Sequence, residues 1–397
     1  MNKLDSQYRG LLAEVLYNGT KKDDRTGTGT LSRFGMSIRH RMSDGFPILT
    51  TKRMPLKTIA TELKWFLKGD TNIKYLLDNN CHIWDGDAYK DYCDVCLFDL
   101  DDPMPKDEFL DKVQNDPAYM HYGLLGPIYG AQWRSWGGKK YIDQIADLIL
   151  NLKQNPNSRR HLVSAWNVDD LDKMTLPPCH YSFQCYIRGE YLDLMWNQRS
   201  ADLFLGVPFN IASYSLLNIL IAKEIGKTPG VVTGNLGDVH LYNNHIEQAR
   251  EQISRSPMEL PQYKLNYYDI YRGDFNIELI DYKSHPSIKA TLSNYPELKY
   301  SFEVSEQYRN MKEILVDVPF VSNYAIDAMK AAGVTPTPTI IRGGTDGSRL
   351  SFMGLPCPNI FTGEMAIHSR HEFVSVQDME KGTATLVELV QIWAKHS

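Results

Sequence analysis

A stretch of alternating apolar residues that follows Cys179 constrains the fold more than any other part of the 397-residue chain. On both sides of a turn at Arg188-Gly189, apolar residues alternate with polar ones: Phe183, Cys185, Ile187, Leu192, Leu194 and Trp196. A period of two around a glycine turn predicts a β-hairpin. Pro177 and Pro178 come directly before Cys179, and proline rings stiffen the backbone and cannot donate to a sheet. The sequence therefore predicts a cysteine held rigidly at the entrance of a strand.

A second pattern predicts a helix from Thr58 to Gly69, TIATELKWFLKG. Its apolar residues recur on one helical face and the glycine ends it: Ile59, Leu63, Phe66 and Leu67. Glu62 lies on that same apolar face, so its carboxylate is either paired or has a raised pKa. A raised pKa suits a group that transfers protons. The alternative is a carboxylate that only caps or pairs inside the core.

Two further segments bear on the core of the chain. Residues 213–222, SYSLLNILIA, are apolar nearly all round and predict a buried helix that ends near Gly226. The stretch between Trp84 and Gly123 is acidic and poor in apolar residues, which predicts a surface insertion over about residues 86–121.

A break near residues 293–297, SNYPE, separates the last hundred residues from the rest. After the break, alternation over 298–304 predicts a short strand, helical periodicity starts near Ser305, and VTPTPT after Gly333 predicts a rigid connector. We therefore expect two domains, one over residues 1–293 and one over residues 294–397.

Composition excludes several classes of protein. No apolar run reaches the roughly 20 residues of a membrane helix, and the start MNKLDSQYRG lacks the apolar core of a signal peptide, so we expect a cytoplasmic protein. A net charge of −5 argues against general nucleic-acid binding. The six cysteines are expected to be reduced. Cys93 and Cys96 form a CxxC without a second pair, which favours two ordinary thiols over a structural metal site.

The residues around the arginines suggest one anionic substrate. A cysteine nucleophile reacts as the thiolate, which a neighbouring histidine or arginine stabilises, and His180 follows Cys179 directly. Arginines next to serine hydroxyls occur in SRR at 158–160 and in QRS at 198–200. Such groups bind a phosphate dianion, which would explain both motifs.

Several longer runs make the resemblance to a known family specific: DDRTGTGT, GFPILTTKR, ELKWFLKGDTN, IWD, GPIYGAQWR, NSRRHLVSAWN, LPPCH, QRSADLFLGVPFNIASY, GDVHLYNNH and HPSIKA. In this order they resemble thymidylate synthase over residues 1 to about 293. The resemblance implies an α/β (α+β) three-layer fold with a mixed sheet at the interface of a homodimer. It also implies a methyltransferase that converts deoxyuridine monophosphate (dUMP) to dTMP with 5,10-methylenetetrahydrofolate, which becomes dihydrofolate.

The resemblance also implies roles for individual residues. Cys179 would be the nucleophile that adds to C6 of uracil, Glu62 would move protons through water, and Tyr129 would help to remove the C5 proton. The remaining residues expected to take part in catalysis are Arg199, Asp202 and Asn210. The substrate would be bound by Arg25, Gln198, Arg199, Ser200, Asp202, Asn210, His240 and Tyr242, with Arg159 and Arg160 reaching in from the other subunit. The folate would be bound by Lys52, Trp84, Asp202, Leu205, Gly206 and Phe209.

The chain departs from the family pattern at two places. Gly86 and Asp87 stand where the family usually has Glu-Trp after IWD, and the chain continues for a hundred residues past Ala290, where the family ends soon after IKA. Two alternatives stay open: a nucleotide hydroxymethylase, in which water ends the reaction, and a catalytically silent scaffold. Asn210 favours a uracil substrate and Trp84 favours reduction, while the intact Cys179, Glu62 and Arg199 argue against a silent protein.

The final segment has a resemblance of its own. Residues 340–375, IIRGGTDGSRLSFMGLPCPNIFTGEMAIHSRHEFVS, resemble the C-terminal end of peptidase T, a zinc tripeptide aminopeptidase of the M20 type, and the similarity extends over about 295–397. It implies an α/β fragment in which His368 matches a metal ligand and Arg342 a substrate-binding group. One histidine does not hold zinc, so we expect no metal and an inert tail. The tail would have arisen by gene fusion, from a rearranged phage or mobile element, or by an assembly error.

Overall fold

The computed structural model describes residues 2–24, 27–99, 103–137, 141–289, 310–337, 346–361, 364–365 and 373–396. The chain divides into two compact units, residues 1–298 and residues 299–397. Among the described residues, no helix is long and apolar enough to cross a membrane.

The first unit is a mixed α/β structure. Its helices are α1 (Lys3–Asn18), α2 (Leu56–Leu67), α3 (Lys74–Asp78), α4 (Asp85–Asp99), α5 (Lys106–Asn115), α6 (Tyr129–Arg134), α7 (Gln144–Gln154), α8 (Gly206–Glu224) and α9 (Ile246–Ser254). Its strands are β1 (Thr20–Lys22), β2 (Thr30–Arg41), β3 (Leu162–Ser164), β4 (His180–Arg188), β5 (Tyr191–Asp202), β6 (Thr228–Tyr242), β7 (Gln262–Asp269) and β8 (Asp274–Ile280).

Six of these strands form one mixed sheet in the order β1-β2-β6-β5-β4-β3. Strands β5 and β6 are parallel and the other neighbours are antiparallel. The long helix α8 connects the two parallel strands, which cannot be joined by a tight turn. Strands β7 and β8 form a separate antiparallel pair. The mixed sheet agrees with the α/β class expected from the sequence.

The predicted hairpin is confirmed. Strands β4 and β5 pair in antiparallel register, with Phe183 opposite Trp196 and Cys185 opposite Leu194. The turn is made by Gly189, whose φ of +61° favours glycine, together with Glu190, one residue later than predicted. Cys179 stands one residue before β4, at the entrance of the strand as the two prolines indicate.

The helices around the sheet follow their apolar patterns. Helix α2 buries Glu62 together with its apolar face, as predicted. Helix α8 begins at Gly206, seven residues before the predicted start, and is buried over nearly its whole length. The acidic segment predicted as a surface insertion contains α4 and α5, and Phe109 and Val113 of α5 are fully buried in the core. Its low overall hydrophobicity therefore hid one core-facing helix surface.

A buried carboxylate ties the N-terminus to the segment that carries Lys52. Asp5 of α1 is fully buried and accepts hydrogen bonds from the backbone N–H groups of Thr50 and Thr51 and from both threonine hydroxyls. Asn2 donates to the same carboxylate at 2.5 Å. Because each oxygen has several donors, the hydrogen-bonding needs of the buried carboxylate are met, and these bonds fix the backbone just before Lys52.

The second unit contains four helices and two short strands among its described residues: α10 (Lys312–Leu315), α11 (Pro319–Ala331), α12 (Asp346–Phe352), β9 (Glu364–Met365), β10 (Phe373–Val374) and α13 (Val376–His396). Helices α11 and α13 pack through an aromatic cluster of Phe320, Tyr324 and Trp393. The strand predicted over residues 298–304, together with Arg342 and His368, lies outside the described residues.

Candidate active site

Cys179 is fixed through its own backbone. Its N–H donates to the Tyr129 hydroxyl at 2.7 Å, and its carbonyl accepts from the N–H of Arg199 on β5 at 2.8 Å. The Arg199 guanidinium donates from Nε to the carbonyl of Pro178 at 3.0 Å and from Nη2 to that of Pro177 at 2.8 Å. One arginine therefore binds the carbonyls of both prolines and fixes the backbone that leads to the cysteine.

A row of stacked rings supports Tyr129 from behind. His180 stacks on Tyr129 with centroids 4.2 Å apart, and its Nδ1 lies 2.8 Å from the Tyr214 hydroxyl. Tyr214 in turn stacks on Trp196, with ring planes inclined by only 3°. Gly234 on β6 faces that indole so closely that a Cβ there would lie 2.2 Å from it. The stacked rings therefore connect the sheet to Tyr129 and fix the position of the hydroxyl that binds the Cys179 N–H.

His180 does not supply the charge that its place next to Cys179 suggested. Successive residues of a strand point to opposite faces, and the His180 ring is buried beneath Tyr129. Burial lowers the pKa of His180 to about 3, so the imidazole is neutral. The expectation that this histidine stabilises the thiolate was therefore wrong, because the imidazole is desolvated and engaged with Tyr214.

Tyr129 stays protonated for the same physical reason. It is 2% exposed, and burial, with the neighbouring Cys179 as a smaller cause, raises the pKa of its hydroxyl well above the ordinary value. The Tyr129 hydroxyl oxygen accepts a hydrogen bond from the Cys179 N–H. The hydroxyl proton of Tyr129 therefore lies close to Cys179 and can be donated there.

Glu62 is a buried carboxyl with one strong donor. Its Oε1 accepts from the indole N–H of Trp84 at 2.9 Å, and the residue is 9% exposed. Burial raises the pKa of Glu62 from 4.5 to about 7, although the Trp84 hydrogen bond opposes the rise. The prediction of a buried carboxyl with a raised pKa is confirmed, and near neutral pH the group can both give and take a proton.

Trp84 links Glu62 to Tyr129. The Trp84 and Tyr129 rings meet edge to face at 6.1 Å, and Phe66 of α2 packs on Tyr129 at 4.8 Å. The carboxyl, the indole and the phenol therefore belong to one aromatic cluster with the backbone of Cys179. Phe66 and Tyr214 were not singled out as site residues, because in the sequence they read only as parts of apolar helices.

Lys52 and Asp202 form a second cluster at the start of α8. The Asp202 Oδ1 accepts from the N–H groups of Phe204 and Leu205 at 2.9 and 3.1 Å, which satisfies donors just before the helix begins at Gly206. Lys52 Nζ donates to the Phe204 carbonyl and lies 3.9 Å from the centre of its ring. Burial lowers the pKa of Lys52 to about 7, while the charge of Asp202 opposes this.

The end of β6 brings His240 beside Asp202. The two residues are partners in the parallel register, and the His240 carbonyl accepts from Leu203 N–H at 2.9 Å. His240 Nδ1 lies 3.6 Å from Asp238, and its ring meets that of Tyr242 edge to face at 5.3 Å. The three elements β5, β6 and α8 thus bring together five of the predicted residues: Asp202, Leu205, Gly206, His240 and Tyr242.

The remaining predicted residues differ in their surroundings. Gln198 is buried and holds the backbone through Ser200, whose carbonyl accepts from its Nε2 at 3.0 Å. Asn210 lies in the second turn of α8, is 8% exposed, and has no side-chain hydrogen bond to the described part of the chain. An amide that uses none of its donors and acceptors within the described part of the chain can hydrogen-bond a small polar ligand. Phe209 packs against the core from the first turn of the same helix.

The arginines predicted to bind phosphate are not all brought together. Arg199 is exposed beside Cys179, whereas Arg159 and Arg160 are exposed in the segment before the edge strand β3. No contact joins either of these two to the other predicted site residues within the described parts of the chain. Arg25 lies outside the described residues.

The comparisons with known proteins show which family the chain belongs to. A family model described as thymidylate synthase matches residues 6–294. The chain belongs to the thymidylate synthase family. Thymidylate synthase of Listeria monocytogenes serotype 4a is 49% identical over 311 residues, which cover 72% of this chain and 99% of the relative. Thymidylate synthase of Mycoplasma mobile is 47% identical over 291 residues with the same coverage. The matched region includes every predicted site residue that the structure describes.

One departure from the thymidylate synthase pattern has a visible consequence. Gly86, which stands where the family usually has a large residue, is exposed in the first turn of α4, and no heavy atom lies within 4 Å of the place a Cβ would take. The space is therefore open beside Trp84. A group of three or more side chains able to hold a metal ion does not occur among the described residues.

Replacing Tyr129 by phenylalanine should lower kcat about tenfold or more while the fold is kept. The change removes the acceptor of the Cys179 N–H and the proton that the hydroxyl can donate, but it leaves the ring stack intact. Steady-state kinetics and thermal unfolding check this. Tyr92, which packs on Phe109 away from the cysteine, provides the matched control, Tyr92→Phe. A normal kcat in Tyr129→Phe would exclude a role for the hydroxyl.

Proposed function

We propose that the chain catalyses the reductive methylation of dUMP to dTMP with 5,10-methylenetetrahydrofolate as co-substrate, and that Cys179 is the nucleophile. The observation that carries the proposal is the cluster of Cys179, Tyr129 and Glu62 within a chain 49% identical to a thymidylate synthase. Glu62 has the pKa near 7 that proton transfer through water needs, and Tyr129 keeps its proton and holds the backbone of Cys179.

The chemistry assigned to the residues starts with the thiolate. Cys179 Sγ adds to C6 of the uracil ring, which makes C5 nucleophilic toward the one-carbon unit of the folate. Arg199 contributes positive charge near the thiolate and the substrate phosphate, with Ser200 beside it on β5. Asn210 hydrogen-bonds the uracil edge, and its free amide favours uracil because it offers both a donor and an acceptor.

Proton transfer depends on two buried groups with different roles. Glu62, with a pKa of about 7, moves protons to and from the ring through water, and Tyr129, which keeps its own proton, assists removal of the C5 proton as a hydrogen-bond donor and not as the base. Loss of the C5 proton breaks the bond between the one-carbon unit and the folate nitrogen and leaves a methylene group on C5. Hydride from the same folate reduces this group to methyl and leaves dihydrofolate, and the Cys179–C6 bond then breaks to release dTMP. His240 and Tyr242 bind the deoxyribose hydroxyl next to Asp202.

The folate is proposed to bind along Trp84 and the start of α8. Leu205, Gly206 and Phe209 provide its wall, and Lys52 and Asp202 provide polar groups at the same place. Asp87 stands where the family usually has tryptophan, so one aromatic wall is missing, and we expect a weaker hold on the pterin than an aromatic residue at that position would give.

We also propose that the catalytic unit acts as a homodimer through one face of the mixed sheet. Phe34 is 84% exposed on that face, and a concave region of about 490 Å³ is lined by Phe34, Met36, Tyr181, Asn197, Arg199 and Asn235. An exposed aromatic face of this kind favours association. Arg159 and Arg160 would then reach the phosphate site of the partner, which accounts for their lack of contacts with their own site.

The second unit is proposed to be a partial M20-type fragment without peptidase activity. Purified protein with zinc and a tripeptide should give no hydrolysis beyond a zinc-only blank. Appreciable turnover would contradict the proposal. We propose that the unit is a fusion partner of the synthase domain, with the boundary near residue 293.

The experiment that tests the function supplies dUMP and methylenetetrahydrofolate and follows two signals. Absorbance reports formation of dihydrofolate, and tritium release reports loss of the C5 proton. We expect both signals at equal rates. Proton release without dihydrofolate would favour the hydroxymethylase alternative, and the absence of both would favour a silent scaffold. Deoxycytidine monophosphate is the control substrate, for which we expect neither signal because Asn210 suits uracil.

A further inference from the structure

Helix α13 carries an exposed seam that nothing in the proposed catalysis uses. Along its 21 residues, six positions recur at alternating spacings of three and four: Val376, Met379, Thr383, Leu386, Val390 and Trp393. This spacing is the a/d pattern by which helices pair in coiled coils. Each position is exposed in the structure, with Val376 at 61%, Leu386 at 51% and Val390 at 68%.

The opposite side of α13 is already occupied. Thr385 is fully buried, and Lys381 donates to the Ala332 carbonyl at the end of α11. Trp393, at the edge of the seam, contacts Phe320 and Tyr324 of α11 and stays 39% exposed. One face of α13 therefore packs within its own unit, and the seam lies on another face. A helix of this length has about six turns, so the seam runs for roughly 30 Å.

The one polar residue of the seam does not oppose burial. The Thr383 hydroxyl donates to the Met379 carbonyl at 2.8 Å, so its hydrogen-bonding need is met within the helix. Gly382 stands next to it and leaves room for a close approach. The seam can therefore be covered along its whole length without leaving a polar group unpaired.

We propose that α13 pairs with α13 of a second copy of this chain in antiparallel orientation. In that orientation, one register lays Val376 against Trp393, Met379 against Val390 and Thr383 against Leu386, so every seam residue has a partner. Charge favours the same orientation, because Asp378 and Glu380 lie near the beginning of the helix and Lys395 and His396 at its end. Antiparallel pairing brings the acidic and basic ends together, whereas parallel pairing would align like charges.

The charge pattern disfavours a membrane surface as the occupant. Helices that lie on anionic membranes carry many lysines and arginines on the polar face. Helix α13 has three acidic residues, Asp378, Glu380 and Glu388, against two lysines, Lys381 and Lys395. The inference is independent of the catalytic proposal, since it rests on the second unit alone.

Disulfide crosslinking in the full-length protein tests the pairing. A chain with Thr383→Cys is mixed with a chain with Leu386→Cys under mild oxidation, and the crosslinked peptide is identified by mass spectrometry. We expect a crosslink between positions 383 and 386 to form at least about tenfold faster than in the control pair, Gln377→Cys with Gln391→Cys, whose side chains are exposed on the outer face. The unsubstituted chain gives the background from its own cysteines.

A second measurement separates pairing from chance collisions. Val390→Glu, added to both crosslinking chains, places two charges in the seam and should remove the rate advantage, while Gln391→Glu should leave it unchanged. Both sites are exposed, so the fold is expected to persist, and circular dichroism checks this. Equal rates for seam and control pairs, or a Leu386→Cys thiol protected from a water-soluble maleimide in dilute monomeric protein, would overturn the proposal.

Discussion

Replacing Cys179 by serine should lower kcat by more than about 10³-fold, because a serine hydroxyl ionises far less readily than a thiol and is the weaker nucleophile. The adjacent imidazole, His180, is neutral, stacked on Tyr129 and engaged with Tyr214. The Cys179 N–H and carbonyl would still make their hydrogen bonds, so the strand entrance should keep its shape. Both dihydrofolate formation and tritium release measure the loss.

The control variant is Cys357→Ser, which changes a half-buried thiol of the second unit. It should keep normal kinetics. Binding of dUMP to Cys179→Ser, measured by calorimetry, and an unchanged melting temperature would show that the site survives the substitution. Residual activity within tenfold of the unsubstituted protein would mean that Cys179 is not the nucleophile.

Replacing Glu62 by glutamine should lower kcat by about 10²- to 10³-fold, because the amide keeps the shape of the carboxyl but transfers no proton. The amide oxygen can still accept the Trp84 N–H, so the packing of the cluster is retained. Burial raises the pKa of Glu62 to about 7, and the pH profile of kcat should show an ionisation there that the variant lacks.

The raised pKa of Glu62 also predicts how the free energy of unfolding changes with pH. Below about pH 4.5 the carboxyl is protonated in both the folded and the unfolded chain. Between pH 4.5 and about 7 the unfolded chain ionises first, so the folded state of the unsubstituted protein loses stability as pH rises, by at most about 3 kcal/mol. Glutamine removes this loss.

Urea unfolding at pH 5 and pH 8 measures the effect. The free energy of unfolding of Glu62→Gln, relative to the unsubstituted protein, should be higher at pH 8 than at pH 5. Glu259→Gln, at an exposed carboxylate, serves as the control and should show the same difference at both values. A pH-independent difference for Glu62→Gln would contradict a raised pKa.

Local patterns predicted the elements that carry the chemistry. Alternation of apolar residues defined the β4–β5 hairpin, and the helical period placed Glu62 on a buried face. Both depend on residues close in sequence, which is why they could be read directly. The resemblance added the identity of the family, and the comparisons confirm it over residues 6–294.

Other features depend on packing that no local pattern reports. The early start of α8 rests on Asp202, which accepts from backbone N–H groups before the helix, and on Pro208, which is tolerated in a first turn. The neutral state of His180 depends on Tyr129 and Tyr214, which come from two other helices. Residues that are distant in sequence therefore decided the electrostatics of the site.

The order of strands in the sheet has a consequence for the making of the protein. Strand β2 ends at Arg41, but its partner β6 begins only at Thr228, about 190 residues later. At a synthesis rate of about 5–20 residues per second, β2 waits roughly 10–40 s on the ribosome with one edge unpaired. Unpaired strand edges attract other strands. Chains released before residue 242 lack a complete β6, so β2 keeps an unpaired edge. We therefore expect such chains to aggregate instead of folding.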